Sequence, residues 1–179
     1  MSVKVETKRF ILRELVLEDA NDMFELDSNS EVIKYLGNHP VKDVASSKEM
    51  IAFVQKQYRD NGIGRWAIIE KTTGNFVGWT GLKYETNLGE KKNYFDLGYR
   101  LKPEYWGKGI ATETAMTSLK YGFEVMKLDE IFGAAHIENI ASNKVLEKVG
   151  LSFVSTFILE GCLHNWYGIA KATWFKHNP

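Results

Sequence analysis

Cysteine is almost absent from this sequence. Cys162 is the single one, so no internal disulfide can form. There is also no CxxC and no Cys/His cluster at zinc spacing, so neither an oxidising compartment nor a bound metal is expected. Charge of one sign is not in excess: 23 Lys and Arg balance 23 Asp and Glu. The broad electrostatic pull toward nucleic acid or an anionic membrane is therefore missing, and neither is expected as a partner. No stretch approaches the roughly 18 consecutive apolar residues of a membrane span, and Met1 to Phe10 never builds the apolar segment of a signal peptide. These absences predict a soluble cytoplasmic protein. Proline is sparse as well, with Pro40, Pro103 and Pro179 far apart, and no low-complexity tract, linker or repeat interrupts the chain. What is present is apolar surface. With 44% apolar and 13% aromatic residues in a chain of 179, there is enough to bury a core and exclude disorder. One domain over 1–179 is expected.

Hydrophobic periodicity orders the elements. Phe10-Ile11-Leu12-Arg13 reads as a strand, and Ala20, Met23, Phe24 and Leu26 then fall on one helix face. Ser46-Ser47-Lys48-Glu49 offers an N-cap for a second helix through Met50, Phe53, Val54 and Tyr58 that stops at Asn61-Gly62. Trp66 to Ile69, Phe76 to Tyr84 and Tyr94 to Leu101 read as a meander. Its connections are the Thr72-Thr73-Gly74-Asn75 turn and the charged loop Asn87 to Lys92. A helix after Gly109, a strand from Glu130 to His136, a helix from Asn139 to Val149 closed by Gly150, and a hairpin of Phe153 to Leu159 with Cys162 to Trp174 complete the order.

The most informative segment runs from Leu101-Lys102-Pro103-Glu104-Tyr105 into Trp106-Gly107-Lys108-Gly109-Ile110-Ala111-Thr112, a strand passing through two glycines into a helix. Glycines let successive N–H groups converge, and the new helix adds unpaired donors and the positive end of its dipole. A pyrophosphate suits such a turn, although a tight strand-to-helix connection needs glycine for conformational reasons alone. Two nucleotide motifs fail here. Gly109 stands where a P-loop needs Ser or Thr, and the dinucleotide fingerprint lacks its third small residue.

The segment resembles the acyl-CoA pyrophosphate loop of the GNAT acetyltransferases, Gln/Arg-x-x-Gly-x-Gly/Ala, with Trp106 in the Gln/Arg place and Gly109 and Ala111 at the small positions. Tyr105-Trp106-Gly107-Lys108-Gly109 is similar to the Rim-type branch, whose Asn-x-x-Ser helix Glu138 to Leu151 also resembles. The likeness covers roughly Thr7 to Thr173 and implies an α+β (mixed α/β) fold. This would be a twisted, mostly antiparallel seven-stranded sheet flanked by helices, with strands around Phe95–Leu101 and Glu130–His136 splayed to admit pantetheine. It implies acetyl-CoA as co-substrate, with Leu101, Trp106, Gly107, Lys108, Gly109, Ile110, Ala111, Thr112, Asn139 and Asn143 as its binding residues. A backbone N–H near Leu101 would polarise the thioester. The family's thiolate-protonating Tyr falls at Leu146, and by analogy with the Rim branch Ser142 takes its place. Helix capping by Asn139 or Ser142 is the simpler alternative.

For the base, the resemblance offers Asp96 and Glu160. Against them stand a cross-strand pairing of Asp96 with Arg100 and a turn role for Glu160. A histidine could serve as a base, but His136 reads as a hydrogen-bonded strand-end residue. Trp66, Trp79, Tyr84 and Trp166 read as core, Glu113 as a dipole partner in the first helical turn, and Lys91-Lys92 as a solvated pair. The implied activity is N-acetyl transfer in a ternary complex to a primary amine, either a protein N-terminus or a small molecule. Homo-oligomerisation is left open. The rival readings are a non-catalytic acyl-CoA-binding module, which the missing Tyr favours, and a phosphate-binding domain unrelated to CoA.

Overall fold

The computed structural model describes residues 4–37, 39–88 and 91–178. Its strands are β1 (Lys4–Glu6), β2 (Phe10–Glu14), β3 (Arg65–Glu70), β4 (Phe76–Glu85), β5 (Tyr94–Leu101), β6 (Glu130–His136), β7 (Ser152–Leu159) and β8 (Cys162–Ala170). The helices are α1 (Ala20–Ser28), α2 (Ser30–Ile33), α3 (Val44–Asn61), α4 (Ile110–Lys120), α5 (Ile140–Lys148) and α6 (Lys171–His177). The strands form one sheet in the order β1-β2-β3-β4-β5-β6-β8-β7, antiparallel except where β5 meets β6. The expected mixed α/β fold is the one observed, with eight strands rather than seven. The extra one, β1, is three residues paired to β2 at the sheet edge, too short to show an alternation of its own.

Other boundaries differ for local reasons. Asp43, not Ser46, caps α3: its carboxylate accepts from the Ser46 N–H at 2.8 Å and from the Ser46 hydroxyl. Gly62, left-handed at φ 73°, ends that helix as expected. The strand expected to reach Trp174 stops at Ala170, because α6 turns Trp174 back to stack on Phe123, 5.5 Å between ring centroids. The helix after the glycine loop widens in its last turn, where Met126 N–H reaches Tyr121 O. Gly89 and Glu90 of the expected charged loop lie outside the described residues, as does the reading of Met1–Val3. Lys91 is not simply solvated, since it pairs with Glu130 and lies over the Phe132 ring.

Two faces follow from strand alternation. On one, Leu97, Leu101, Ile131, Ala135, Tyr167 and Ile169 join Leu119, Phe123, Leu146 and Val149 in the main core beneath α4 and α5. On the other, α1 and α3 cover the N-terminal strands through Leu15, Met23, Ile51, Val54 and Phe76. Farther along that second face, Tyr94, Phe132 and Trp166 form a small aromatic cluster.

Candidate active site

β5 and β6 share a single paired position, Asp96 with Phe132. Beyond it the parallel strands diverge, so a gap opens between Gly98–Leu101 on one side and Ala134–His136 on the other. Lys102 N–H donates to Val77 O at 3.0 Å, and Val77 lies on β4 opposite. Amides alternate along a strand, so those of Leu97, Tyr99 and Leu101 face away from β4. The Tyr99 and Leu101 N–H groups therefore line the gap past its last strand pairing.

At one end of the gap lies the glycine loop. Tyr105 N–H and Trp106 N–H close a tight turn onto Lys102 O and Pro103 O, both at 3.0 Å, and the Trp106 indole N–H donates to Leu101 O at 2.9 Å. Gly107 and Gly109 both sit at φ 72°, a conformation that would strain any other residue. A Cβ added at Gly107 would touch nothing within 4 Å, so the loop is an open cradle. Gly109 begins α4 without a side-chain cap, and the first helical bond is Glu113 N–H to Gly109 O. The Ile110, Ala111 and Thr112 amides remain as donors. The chemistry of this donor set fits a pyrophosphate. Arg9, in the opening segment of the resemblance but not among the expected site residues, clamps the loop: its guanidinium donates to Lys108 O at 3.0 Å and pairs with Glu113 at 2.7 Å. Glu113 thus does more than complement the helix dipole. Burial pushes its carboxyl up, yet bonds from Thr7 and Arg9 outweigh that and leave it lowered.

The gap's other wall is α5. Asn139 caps it, accepting the Ser142 N–H at 3.1 Å, so the capping alternative describes its side-chain oxygen. Asn143 is saturated: its amide donates to His136 O and Asn139 O and accepts from Asn165 and Tyr167, all within 2.9 Å. With two donors and two lone pairs filled by protein, it locks helix to strands and leaves no side-chain group for a cofactor. The Ser142 hydroxyl lies 3.0 Å from the Tyr99 hydroxyl, which also bonds Ser142 O. Burial pushes the Tyr99 phenol well up, so it remains a neutral donor. Leu146 is core.

On the opposite face of β5 lies the first of the two predicted carboxylates. Asp96 is buried and paired not with Arg100 but with Arg65, 2.5 Å away, whose guanidinium lies over Gly98 and also donates to Asp96 O at 2.7 Å. Burial pushes the Asp96 carboxyl up against the pull of Arg65. Arg100 instead pairs with Asp27 of α1 at 2.6 Å, and both arginines flank the Trp79 ring. Trp66 and Trp166 are core as expected, while Trp79 is half-buried under this pair of cations. Glu160 and Gly161 form the two-residue β7–β8 turn, at φ 50° and 79°. Glu160 is exposed, on the rim of a cleft of about 160 Å³ with Leu36, Gly37, Leu159, Cys162 and His164. A larger cleft of about 360 Å³ lies elsewhere, between Asp22, the β3–β4 turn at Gly74–Phe76 and Lys102, Glu104 and Tyr105. Among the described residues no group of three or more His, Cys, Asp or Glu is placed to hold a metal ion, and no helix is long and apolar enough to cross a membrane.

Residues 9–152 match the acetyltransferase (GNAT) domain family. The chain is 32% identical over 146 residues to the uncharacterized N-acetyltransferase YoaA of Bacillus subtilis, covering 82% of this chain and 81% of that one. Its fold is similar to a GNAT-family acetyltransferase from Bacillus anthracis, with a TM-score of 0.78 at 26% identity over 95% and 99% of the two chains. The fold is also shared with spermidine N-acetyltransferase from Vibrio cholerae, solved with CoA and spermine, with a TM-score of 0.76 at 20% identity over 94% and 99%. With the splayed strands, the glycine loop and these likenesses together, the chain belongs to the GNAT acetyltransferase family, as an acyl-CoA-dependent N-acetyltransferase.

Proposed function

We propose that the protein moves an acetyl group from acetyl-CoA to a primary amine by direct attack in a ternary complex, and that it belongs to the Rim-type branch. The observation that carries the reading is the gap past Asp96 and Phe132, with the glycine cradle at its end and Ser142 on its wall. Acetyl-CoA supplies an activated acyl group as its thioester. The amides of Gly107 to Thr112 bind the pyrophosphate, while the Trp106 N–H is spent on Pro103 O and its indole on Leu101 O. The amide nitrogen of Asn139, without a partner among the described residues, meets the pantetheine arm. The N–H groups of Leu101 and Tyr99 sit where a developing oxyanion gains most from fixed donors. Ser142, held by Tyr99, protonates the departing thiolate.

The acceptor enters on the opposite face, past Trp79, Asp96 and Glu160. Glu160 at the cleft rim attracts an ammonium group, while Asp96, engaged by Arg65, shapes the wall. The Tyr105–Gly109 motif and Ser142 support a protein N-terminal amine, and the polyamine enzyme among the structural neighbours supports a small cationic amine. Calorimetric titration with acetyl-CoA, and in parallel with ATP and NAD, tests the reading at its base. Binding of acetyl-CoA alone is expected. CoA release is then measured across N-terminal peptides, polyamines and aminoglycosides. Binding without release from any amine would favour the non-catalytic module, and no binding would remove both readings.

A further inference from the structure

Asp96, Phe132 and Trp166 share one face of the sheet, and alternation puts His136 of β6 and His164 of β8 on that same face. The two histidines are register partners, with ring centroids 5.3 Å apart and planes at 78°. His136 borders the gap where β6 leaves β5, and His164 stands one strand farther out. Their hydrogen bonds set them in opposite roles. His136 Nδ1 lies 3.1 Å from the Glu138 N–H and accepts from it, so its neutral ring carries the proton on Nε2. His164 Nδ1 lies 3.1 Å from Cys162 O. A carbonyl oxygen only accepts, so Nδ1 must donate, and in the neutral ring Nε2 is left as a bare lone pair. Among the described residues nothing donates to that nitrogen. His164 is buried overall, yet lines the 160 Å³ cleft that Glu160 rims.

We propose that His164 is the general base, taking the acceptor's proton on Nε2 directly or through one water in this cleft. The proposal rests on the acetyl-transfer reading above and names its proton acceptor: of the two carboxylates considered, Asp96 is held by Arg65 and Glu160 is an exposed turn residue at the cleft rim. The acceptor ammonium gives one proton to Nε2, and the neutral amine nitrogen forms the new C–N bond at the thioester carbonyl. The C–S bond breaks with its electron pair on sulfur. Ser142 passes sulfur a proton and regains the one shed by the amide nitrogen, and the imidazolium returns its own to solvent. The groups facing His164 are the His136 ring from β6, Cys162 from its own strand, Phe157 from β7 and Glu160 from the turn, with Tyr35 beyond His136 and Lys34 over the Tyr35 ring. Glu160 carries the only carboxylate in that set.

Two measurements test this. In His164→Gln, kcat should fall about 100-fold, the usual scale of a lost general base. Acetyl-CoA affinity should be unchanged by calorimetry, the acid limb of the kcat profile should flatten, and added imidazole should restore part of the rate. His136→Gln should keep the limb. A His164→Gln enzyme that retains the limb would overturn the assignment. Nitrogen NMR of the ring-labelled chain, assigned by the same variant, reads the site without any activity. The neutral His164 ring should show the Nδ1–H form, and an Nε2–H form would refute the proposal. A wild-type enzyme silent toward all amines would remove the proposed function instead, with the NMR result still deciding the tautomer.

Discussion

Ser142 and Tyr99 reach each other across the gap between α5 and β5, and neither residue means much alone. A serine hydroxyl is a poor acid, but one anchored by a neutral phenol at 3.0 Å is held in a single orientation. Ser142→Ala is expected to lower kcat about 100-fold with acetyl-CoA affinity intact. Single-turnover rates and calorimetry on the same preparation check both halves, and unchanged turnover would discard the assignment. Asp96 is a stability residue as much as a site residue. Asp96→Ala strands the Arg65 guanidinium in a buried position, and breaking a buried pair from one side costs about 3–5 kcal/mol. Urea denaturation should show that loss. A cost under about 1 kcal/mol would mean that Arg65 finds water or another partner.

The glycine loop and α4 act as one element, pinned at their start by Arg9 and Glu113. Gly107→Ala introduces a Cβ that, its chain neighbours aside, meets nothing within 4 Å among the described residues, so its folding penalty is left-handed backbone strain, about 1 kcal/mol. If the cradle holds pyrophosphate, acetyl-CoA affinity should fall by far more than stability does, about tenfold or beyond. Glu113 predicts a pH dependence. Its folded carboxyl lies below the ordinary value of 4.5. The native state therefore binds fewer protons than the unfolded chain between the two values, and stability rises with pH there. The contribution is complete above 4.5 and is lost as pH falls through the lowered value. The pair is partly exposed, so Glu113→Gln should cost under about 1 kcal/mol at pH 7. Melting curves of variant and wild type should converge in acid, and a constant offset would contradict the clamp.

For the whole molecule, two faces of one sheet divide the labour. The α4–α5 face carries the loop and Ser142, while the other carries Asp96, Glu160 and His164, so donor and acceptor meet only where the sheet opens. Binding to the folded state alone stabilises by about 2.7 kcal/mol at a ligand concentration of 100 Kd. For a chain of this size that raises Tm by about 5–10 °C. Acetyl-CoA should give such a rise, and ATP at equal concentration should not. Equal shifts from both would point to a general phosphate site.

Local chemistry is legible in the order of the residues. Two glycines ahead of an amphipathic helix, Gly62 closing α3 and the Glu160–Gly161 turn each depend on φ values that neighbours along the chain dictate. Asn139 at the start of α5 belongs with them, since a cap needs only the next few residues. The Ser46 cap and the strand ending at Trp174 are different, because a short motif and an aromatic run each fit two structures. The turn at Asp43 and packing on Phe123 choose between them.

Partners far apart along the chain carry no such signal. Arg65 with Asp96, Arg100 with Asp27, Arg9 with Glu113 and Tyr99 with Ser142 are joined only by strand order and by helices laid across the sheet. Residue order is enough to specify the alternation of strands and helices, the backbone freedom of the loop and the apolar surface that drives collapse. Where β5 and β6 part, which charges are neutralised by pairing and which histidine nitrogen keeps its lone pair are settled only by the folded arrangement. Each of these depends on atoms brought within about 3 Å from far along the chain, a distance that hydrogen bonds require and periodicity does not encode.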